Sequence, residues 1–215
     1  MPIETPRLVL ASASPARLKT LRSAGVEPRV LVADIDEPAV VEEYGGADLP
    51  AVDVALVLAR RKAEVVAAQV DDVLVLGCDS VLELDDEVHG KPGSPDAAAA
   101  RWRQMRGREG VLHTGHWLID TRDSGEHGGT GVTIGAVAST LVRFADITDA
   151  EIAAYVATGE PLAVAGAFTL DGLGGAFVDG VDGDPHAVVG LSLPLLRRLV
   201  AQAGVAWTSL WADAL

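Results

Sequence analysis

Apolar and polar positions along the chain switch repeatedly between a period of two and a period near 3.6, which predicts alternating strands and helices. Residues 7–11 read as a short strand running into Ser12-Ala13-Ser14-Pro15, a helix start in which Ser14 caps and Pro15 takes the first helical position, where its missing N–H costs nothing. That helix carries Leu18 and Leu21 on one face and stops at Gly25. Residues 28–33 read as a second strand, ending in the acidic turn Asp34-Ile35-Asp36-Glu37. After the loop Gly45-Gly46-Ala47-Asp48-Leu49-Pro50, residues 52–70 form a long helix with the apolar stripe Val54, Leu58, Val65 and Val66. Lys62 lies along that stripe, four residues after Leu58. A lysine on an apolar face either snorkels to water or delivers its charge into a cleft.

The run Val73-Leu74-Val75-Leu76 is a buried strand predicted to break off at Gly77-Cys78-Asp79-Ser80, which puts the Asp79 carboxylate on its rim. The hairpin-sized stretch 81–89 then brings Gly90-Lys91-Pro92 back towards it. Ser94-Pro95-Asp96 caps a helix that ends at Gly107, and residues 111–120 and 132–145 pair as a hairpin across a turn at 124–129. Thr148-Asp149-Ala150-Glu151 is a capping box opening a helix with Ile152, Tyr155 and Val156. Residues 166–190 are glycine-rich and irregular, and 191–203 form a final helix. With 215 residues, 49% hydrophobic, and no repeat or linker, residues 1–215 are expected to form a single domain.

Charge narrows the partners. A formal net charge of −14 leaves no basic footprint for duplex nucleic acid. It does not oppose a small nucleotide, whose phosphates a few local cations and a divalent metal can neutralise. Cys78 is the one cysteine, which excludes an intramolecular disulfide and a Cys-rich zinc site and suits a reducing compartment. The apolar run 8–13 is too short for a signal-peptide core, and the run 132–142 falls well short of the roughly 20 residues of a membrane span. A cytoplasmic protein without a membrane partner is expected.

Several familiar motifs are absent. Gly90-Lys91 is not a Walker A loop, Gly172-Leu173-Gly174-Gly175 does not complete a dinucleotide fingerprint, and no nucleophile elbow occurs. His113 and His116, three apart, fall on opposite faces of a strand and read as ordinary strand histidines. A positive signal stands at the first strand-to-helix junction, where Ser12, Ser14 and Arg17 surround a helix N-terminus as an anion cradle. A carboxylate (Asp79), a lysine (Lys91) and a metal in one cleft would suit phosphate chemistry.

Eight segments now align in order: Leu10-Ala11-Ser12-Ala13-Ser14-Pro15-Ala16-Arg17, Asp34-Ile35-Asp36-Glu37, Leu58-Ala59-Arg60-Arg61-Lys62-Ala63, Gly77-Cys78-Asp79-Ser80, Gly90-Lys91-Pro92, Tyr155-Val156-Ala157-Thr158-Gly159-Glu160-Pro161-Leu162, Ala165-Gly166-Ala167-Phe168 and Val189-Gly190-Leu191-Ser192-Leu193-Pro194. This ordered set resembles the Maf family of septum-formation-inhibitor-like nucleoside triphosphate pyrophosphatases. The resemblance implies an α/β fold like that of the inosine triphosphate pyrophosphatases: an elongated mixed β-sheet flanked by helices, two lobes and a central cleft. It implies hydrolysis of a nucleoside triphosphate to monophosphate and pyrophosphate with a divalent metal, Mg or Mn, clearing non-canonical or selected nucleotides. The alternative is a nucleotide-sensing regulator of septum formation and cell division with little turnover.

By that resemblance Asp79 is the proton acceptor, with Lys91 and Glu37 also catalytic and Asp79 and Glu37 the metal ligands. Ser12, Ser14, Arg17 and Lys62 bind substrate phosphates, and a homodimer is the assembly the analogy admits. Pyrimidine-selective members carry Arg-Arg after Ser-Pro, Gly-Ala-Asp-Thr and Ile-Gln-Gly, where this chain has Ala16-Arg17, Cys78-Asp79-Ser80 and Leu170-Asp171-Gly172. Base specificity is therefore assigned to Ala16, Ser80 and Asp171, with a range broader than, or shifted away from, thymidine and uridine triphosphates.

Overall fold

The computed structural model describes residues 8–124 and 128–211; Arg7 and residues 125–127 of the expected turn lie outside them. The chain runs β1 (Leu8–Ala11), α1 (Pro15–Ser23), β2 (Arg29–Val30), α2 (Glu37–Tyr44), α3 (Ala51–Ala67), β3 (Leu74–Leu84), β4 (Glu87–His89), α4 (Pro95–Met105), β5 (Glu109–Asp120), β6 (Thr133–Phe144), α5 (Asp149–Ala157), β7 (Val178–Asp182), α6 (Pro185–Val189) and α7 (Leu193–Gln202). Among the described residues the strands form one seven-stranded sheet in the order β2-β1-β3-β5-β6-β7, with β4 on the free edge of β3. The β2, β1 and β3 pairs are parallel and the rest antiparallel, so the expected mixed sheet flanked by helices is what forms.

The strand expected to break off at Gly77 instead continues to Leu84, held by β5 through the register Gly77↔Trp117 to Glu83↔Val111. What breaks is its other edge. There β1 pairs only as far as Ala11↔Gly77 and β4 begins only at Leu82↔His89, so residues 78–81 lie in a gap between the two neighbours. A buried central strand with an open edge is where an α/β sheet admits a ligand.

One face of the sheet carries two apolar clusters. Leu8, Leu10, Leu74, Leu76 and Cys78 pack with Leu195, Leu196 and Leu199 of α7, while Leu82, Leu84, Leu112 and Phe144 pack with Trp102, Ile152, Tyr155 and Phe168. Ser80 sits on β3 between Cys78 of the first cluster and Leu82 of the second, so the cleft opens between two lobes. Edge-on ring contacts of Trp102 with Phe144, Tyr155 and Phe177 centre the second lobe.

On the opposite face α3 buries Ala55, Ala59 and Ala63 against the strands. A Cβ on Gly77 would collide with the Ala59 carbonyl oxygen, and one on Gly115 with the Ala55 carbonyl oxygen, so the helix backbone rests directly on β3 and β5. The expected caps form: Ser14 accepts from the Arg17 N–H, Ser94 from the Ala97 N–H, and Thr148 and Glu151 make the reciprocal capping box. Three expectations change. The second strand shrinks to Arg29–Val30, the acidic turn becomes a cap in which Asp36 accepts from the Ala39 N–H to start α2, and the glycine-rich stretch contains β7 and α6.

His116, on β5, is fully buried and ties the sheet to α7: its Nε2 accepts from the Ser192 N–H at 2.8 Å and its Nδ1–H donates to the Thr114 carbonyl at 3.0 Å. The bond accepted at Nε2 requires the neutral ring, and burial pushes its pKa down to about 4 against the Thr114 bond, which would hold in either state. Between the ordinary histidine value and pH 4 the unfolded chain gains a proton that the folded chain refuses, so stability falls as pH falls, by about 3 kcal/mol in total. Thermal melting of wild type and His116→Gln from pH 7.5 to 4.5 checks this. The wild-type midpoint should drop more steeply, and parallel curves would remove His116 from the account.

Candidate active site

The gap on β3 opens into a cavity of about 500 Å³. Its wall includes all ten residues expected from the sequence: Ser12, Ser14, Ala16, Arg17, Glu37, Lys62, Asp79, Ser80, Lys91 and Asp171. An adjoining hollow of about 910 Å³ shares Glu37, Asp79, Ser80 and Lys91, which therefore form the waist of one continuous cleft.

At the waist, Lys62 does not snorkel. Its side chain is 11% exposed, and Nζ donates to Glu37 Oε1 at 2.7 Å and to Asp79 Oδ1 in a very short contact. The close seat of α3 on Gly77 brings this ammonium across the strand, and α2 presents Glu37 from its first turn, where the helix N-terminus favours a carboxylate. Burial pushes the Asp79 carboxyl above its ordinary value; the charges of Lys62 and Arg17 offset part of that, and the Glu37 carboxylate adds to it. Burial acts upward on Glu37 too, but the Lys62 hydrogen bond and the charges of Lys62, Lys91 and Arg17 outweigh it, so its net shift is downward. Two carboxylates shifted in opposite directions thus face one cation.

Arg17 is the organiser of the neighbouring wall. Nε donates to the Gly190 carbonyl at 2.7 Å, Nη1 to Ser12 Oγ and to the Cys78 carbonyl at 2.9 Å each, and Nη2 to Ser80 Oγ at 3.1 Å. Four of its five N–H groups are thereby engaged, leaving one for a ligand. The hydroxyl relay continues across the strands: Thr114 Oγ1 donates to the Ala187 carbonyl and, with its proton so used, accepts from Ser80 at 2.8 Å. Ser80 therefore presents no free proton to the cleft. Ser14 Oγ is likewise used as the cap of α1.

Lys91 follows β4, and the preceding Gly90 carbonyl accepts from Arg101 Nη1 and from the Gly166 N–H, which fixes the turn that carries it. Asp171 stands at the mouth, 3.3 Å from Lys19, in an exposed pair. Thr114, Arg101, Lys19 and Glu160 support the site without having been assigned to it from the sequence. Thr114 reads as an ordinary strand threonine and Arg101 as a surface helix residue, so neither carried a signal; Glu160 stood in plain view after Gly159.

The two carboxylates at the waist are the residues that could hold a metal. Among the described residues no cluster of three or more His, Cys, Asp or Glu side chains gathers to hold an ion, at the waist or elsewhere, so this pair could hold one only with further oxygens from outside the chain. Glu37 and Asp79 converge within bonding distance of a single point, the Lys62 Nζ, and such a pair suits a hard cation that takes its remaining oxygens from phosphates and water.

Comparison with known proteins finds relatives over nearly the whole chain. A nucleoside triphosphate pyrophosphatase of Streptomyces coelicolor is 58% identical, covering 97% of this chain and 96% of the relative. One of Salinispora tropica is 54% identical, covering 95% and 87%. Similarity in shape is slighter: the Staphylococcus aureus Ham1 protein aligns with 65% of this chain and 72% of its own at 15% identity and a TM-score of 0.38, a level that decides nothing. The family model for Maf-like proteins matches residues 7–203, a span that takes in every wall of the cleft, and on that match the chain belongs to the Maf family.

Proposed function

We propose that the chain hydrolyses nucleoside triphosphates to a nucleoside monophosphate and pyrophosphate, the activity for which its relatives are named. The observation that carries this reading is the Lys62 bridge between Glu37 and Asp79 at the waist of a cleft whose other wall is a hydroxyl-lined helix N-terminus. Asp79 takes a proton from water as the water oxygen bonds to the α-phosphorus; the bond to the bridging oxygen breaks and pyrophosphate departs. A carboxyl with raised proton affinity suits that step, and Lys62 and Lys91 counter the charge gathering on the leaving group.

Ser12, the N–H groups of α1 and the remaining N–H of Arg17 meet phosphate oxygens, and Ser14 holds that helix start in place. Glu37 and Asp79 would hold a Mg or Mn ion, which supplies charge neutralisation to the phosphates when bound. Ala16, Ser80 and Asp171 face the base. Asp171 accepts hydrogen bonds and cannot donate when ionised, which suits a base edge with adjacent donors, such as guanine or a modified purine. The proposal extends to one domain over residues 1–215, to clearance of non-canonical or selected nucleotides in the cytoplasm and to a homodimer, with net charge −14 favouring small nucleotides over nucleic acid. Among the described residues no helix is long and apolar enough to cross a membrane.

Pyrophosphate release with magnesium and a panel of triphosphates tests the activity, and three variants test the roles. Asp79→Asn should remain folded and lose activity by about 10²-fold or more, because an amide takes no proton; near-normal turnover would remove Asp79 as the base. Lys62→Met deletes the cation between two carboxylates, and kcat/KM for triphosphates should fall at least about tenfold while the melting point is measured alongside. Unchanged catalysis would retire Lys62 from the site. Asp171→Gln should move the ratio of kcat/KM values from guanosine towards uridine and thymidine triphosphates, and a strictly pyrimidine-selective wild type or an unmoved ratio would refute its role in specificity.

A further inference from the structure

The segment 168–172, which carries Asp171 into the cleft, has no regular ladder to hold it: it lies between the turn at Ala165–Ala167 and the 3₁₀ stretch Leu173–Phe177. One side chain supplies what the ladder would. Glu160 follows α5, is partly buried, and does not line the cavity. Its Oε1 accepts from the Tyr155 hydroxyl at 3.1 Å, from the Gly174 N–H at 3.0 Å and from the Thr169 hydroxyl in a very short contact, and its Oε2 accepts from the Leu173 N–H at 3.0 Å. These donors flank Asp171 on both sides. A Cβ on Gly172 would lie 2.7 Å from Glu160 Oε2, so the loop is wrapped against the carboxylate with no room to spare.

We propose that Glu160 is a positioning residue for base recognition: through four acceptor bonds it sets where Thr169, Leu170 and Asp171 stand on the cavity wall, without touching the substrate. The proposal rests on the reading that this wall meets the base. Its chemistry demands an acceptor at both oxygens. A carboxylate provides that and an amide does not, because one end of a glutamine is a donor facing another donor. The residues that meet the phosphates lie on the β1–α1 turn, α1, α3 and the turn after β4, so loosening the loop leaves them in place. Lys19 contributes only an exposed contact with Asp171 from α1, which is worth little by comparison.

The test compares wild type, Glu160→Gln and Tyr155→Phe in three measurements: kcat and KM for guanosine and uridine triphosphates, the inhibition constant of inorganic tripolyphosphate, and melting temperature. Tyr155→Phe keeps the ring packed against Trp102 and Phe177 and removes one of the four donors. In Glu160→Gln, KM should rise at least about tenfold for the preferred nucleotide with kcat within about threefold, and the kcat/KM ratio between the two bases should shrink towards one. Tripolyphosphate inhibition should stay within about twofold, and Tyr155→Phe should move the base ratio the same way by less. An unchanged base ratio in folded Glu160→Gln overturns the proposal. So does a parallel loss of tripolyphosphate inhibition, which would mean that Glu160 merely holds the fold together. Failure of the underlying reading is separate and visible without Glu160 variants: wild type then treats guanosine and uridine triphosphates alike, and Asp171→Gln leaves their kcat/KM ratio unmoved.

Discussion

The site depends on how close the backbone of α3 comes to the sheet. Helices usually stand off a sheet by the thickness of their side chains, but Ala55, Ala59 and Ala63 on one side and Gly77 and Gly115 on the other remove that thickness. The helix backbone then lies on β3 and β5, and a lysine stem reaches Asp79 with its ammonium still close to Glu37. A methyl group at either glycine pushes the helix outward, and a cation held by two carboxylates in a buried place tolerates no such retreat.

The gap on the edge of β3 is the second half of the arrangement. Parallel pairing with β1 ends at Gly77 and antiparallel pairing with β4 starts at Leu82, so a stretch of central strand is left to side chains instead of a neighbouring strand. Arg17 takes up the Cys78 carbonyl there, and the Ser80 to Thr114 to Ala187 relay leads from the gap into the opposite wall. Asp79 and Ser80 point to opposite faces of the same strand, which is how one dipeptide serves both a charged waist and a pocket wall.

Much of this was legible in the sequence where a feature is local. Ser14-Pro15, Ser94-Pro95 and Thr148 to Glu151 announced their helices because a cap is a short-range hydrogen bond with a fixed spacing. Nine of the ten expected residues on the cavity wall stand in the ordered motifs, and Asp171 follows from the departure at Leu170-Asp171-Gly172. The continuation of β3 through Gly77 was hidden because its continuity is supplied by β5, 28 to 40 residues away in sequence. The seat of α3 was hidden too: the large residues Val54 and Leu58 advertise the stripe, whereas the alanine ridge that makes contact is nearly silent in a hydrophobicity pattern, and Val65 of the expected stripe is only half-buried. Asp36 was read as part of a turn, although its side chain starts a helix, since the same residue type serves both.

The bond from Arg17 to the Gly190 carbonyl spans 173 residues. On a ribosome adding about 5–20 residues per second, its donor therefore emerges roughly 10–30 s before its acceptor has been made. Throughout that interval the guanidinium stays solvated and the wall around Ser12 and Ser80 lacks its far support. The cleft is consequently finished late, with α7 and the residues after it still to come. A chain terminated before Gly190 lacks the backbone that closes it, so fragments from interrupted translation are catalytically silent whatever part of the sheet they manage to build.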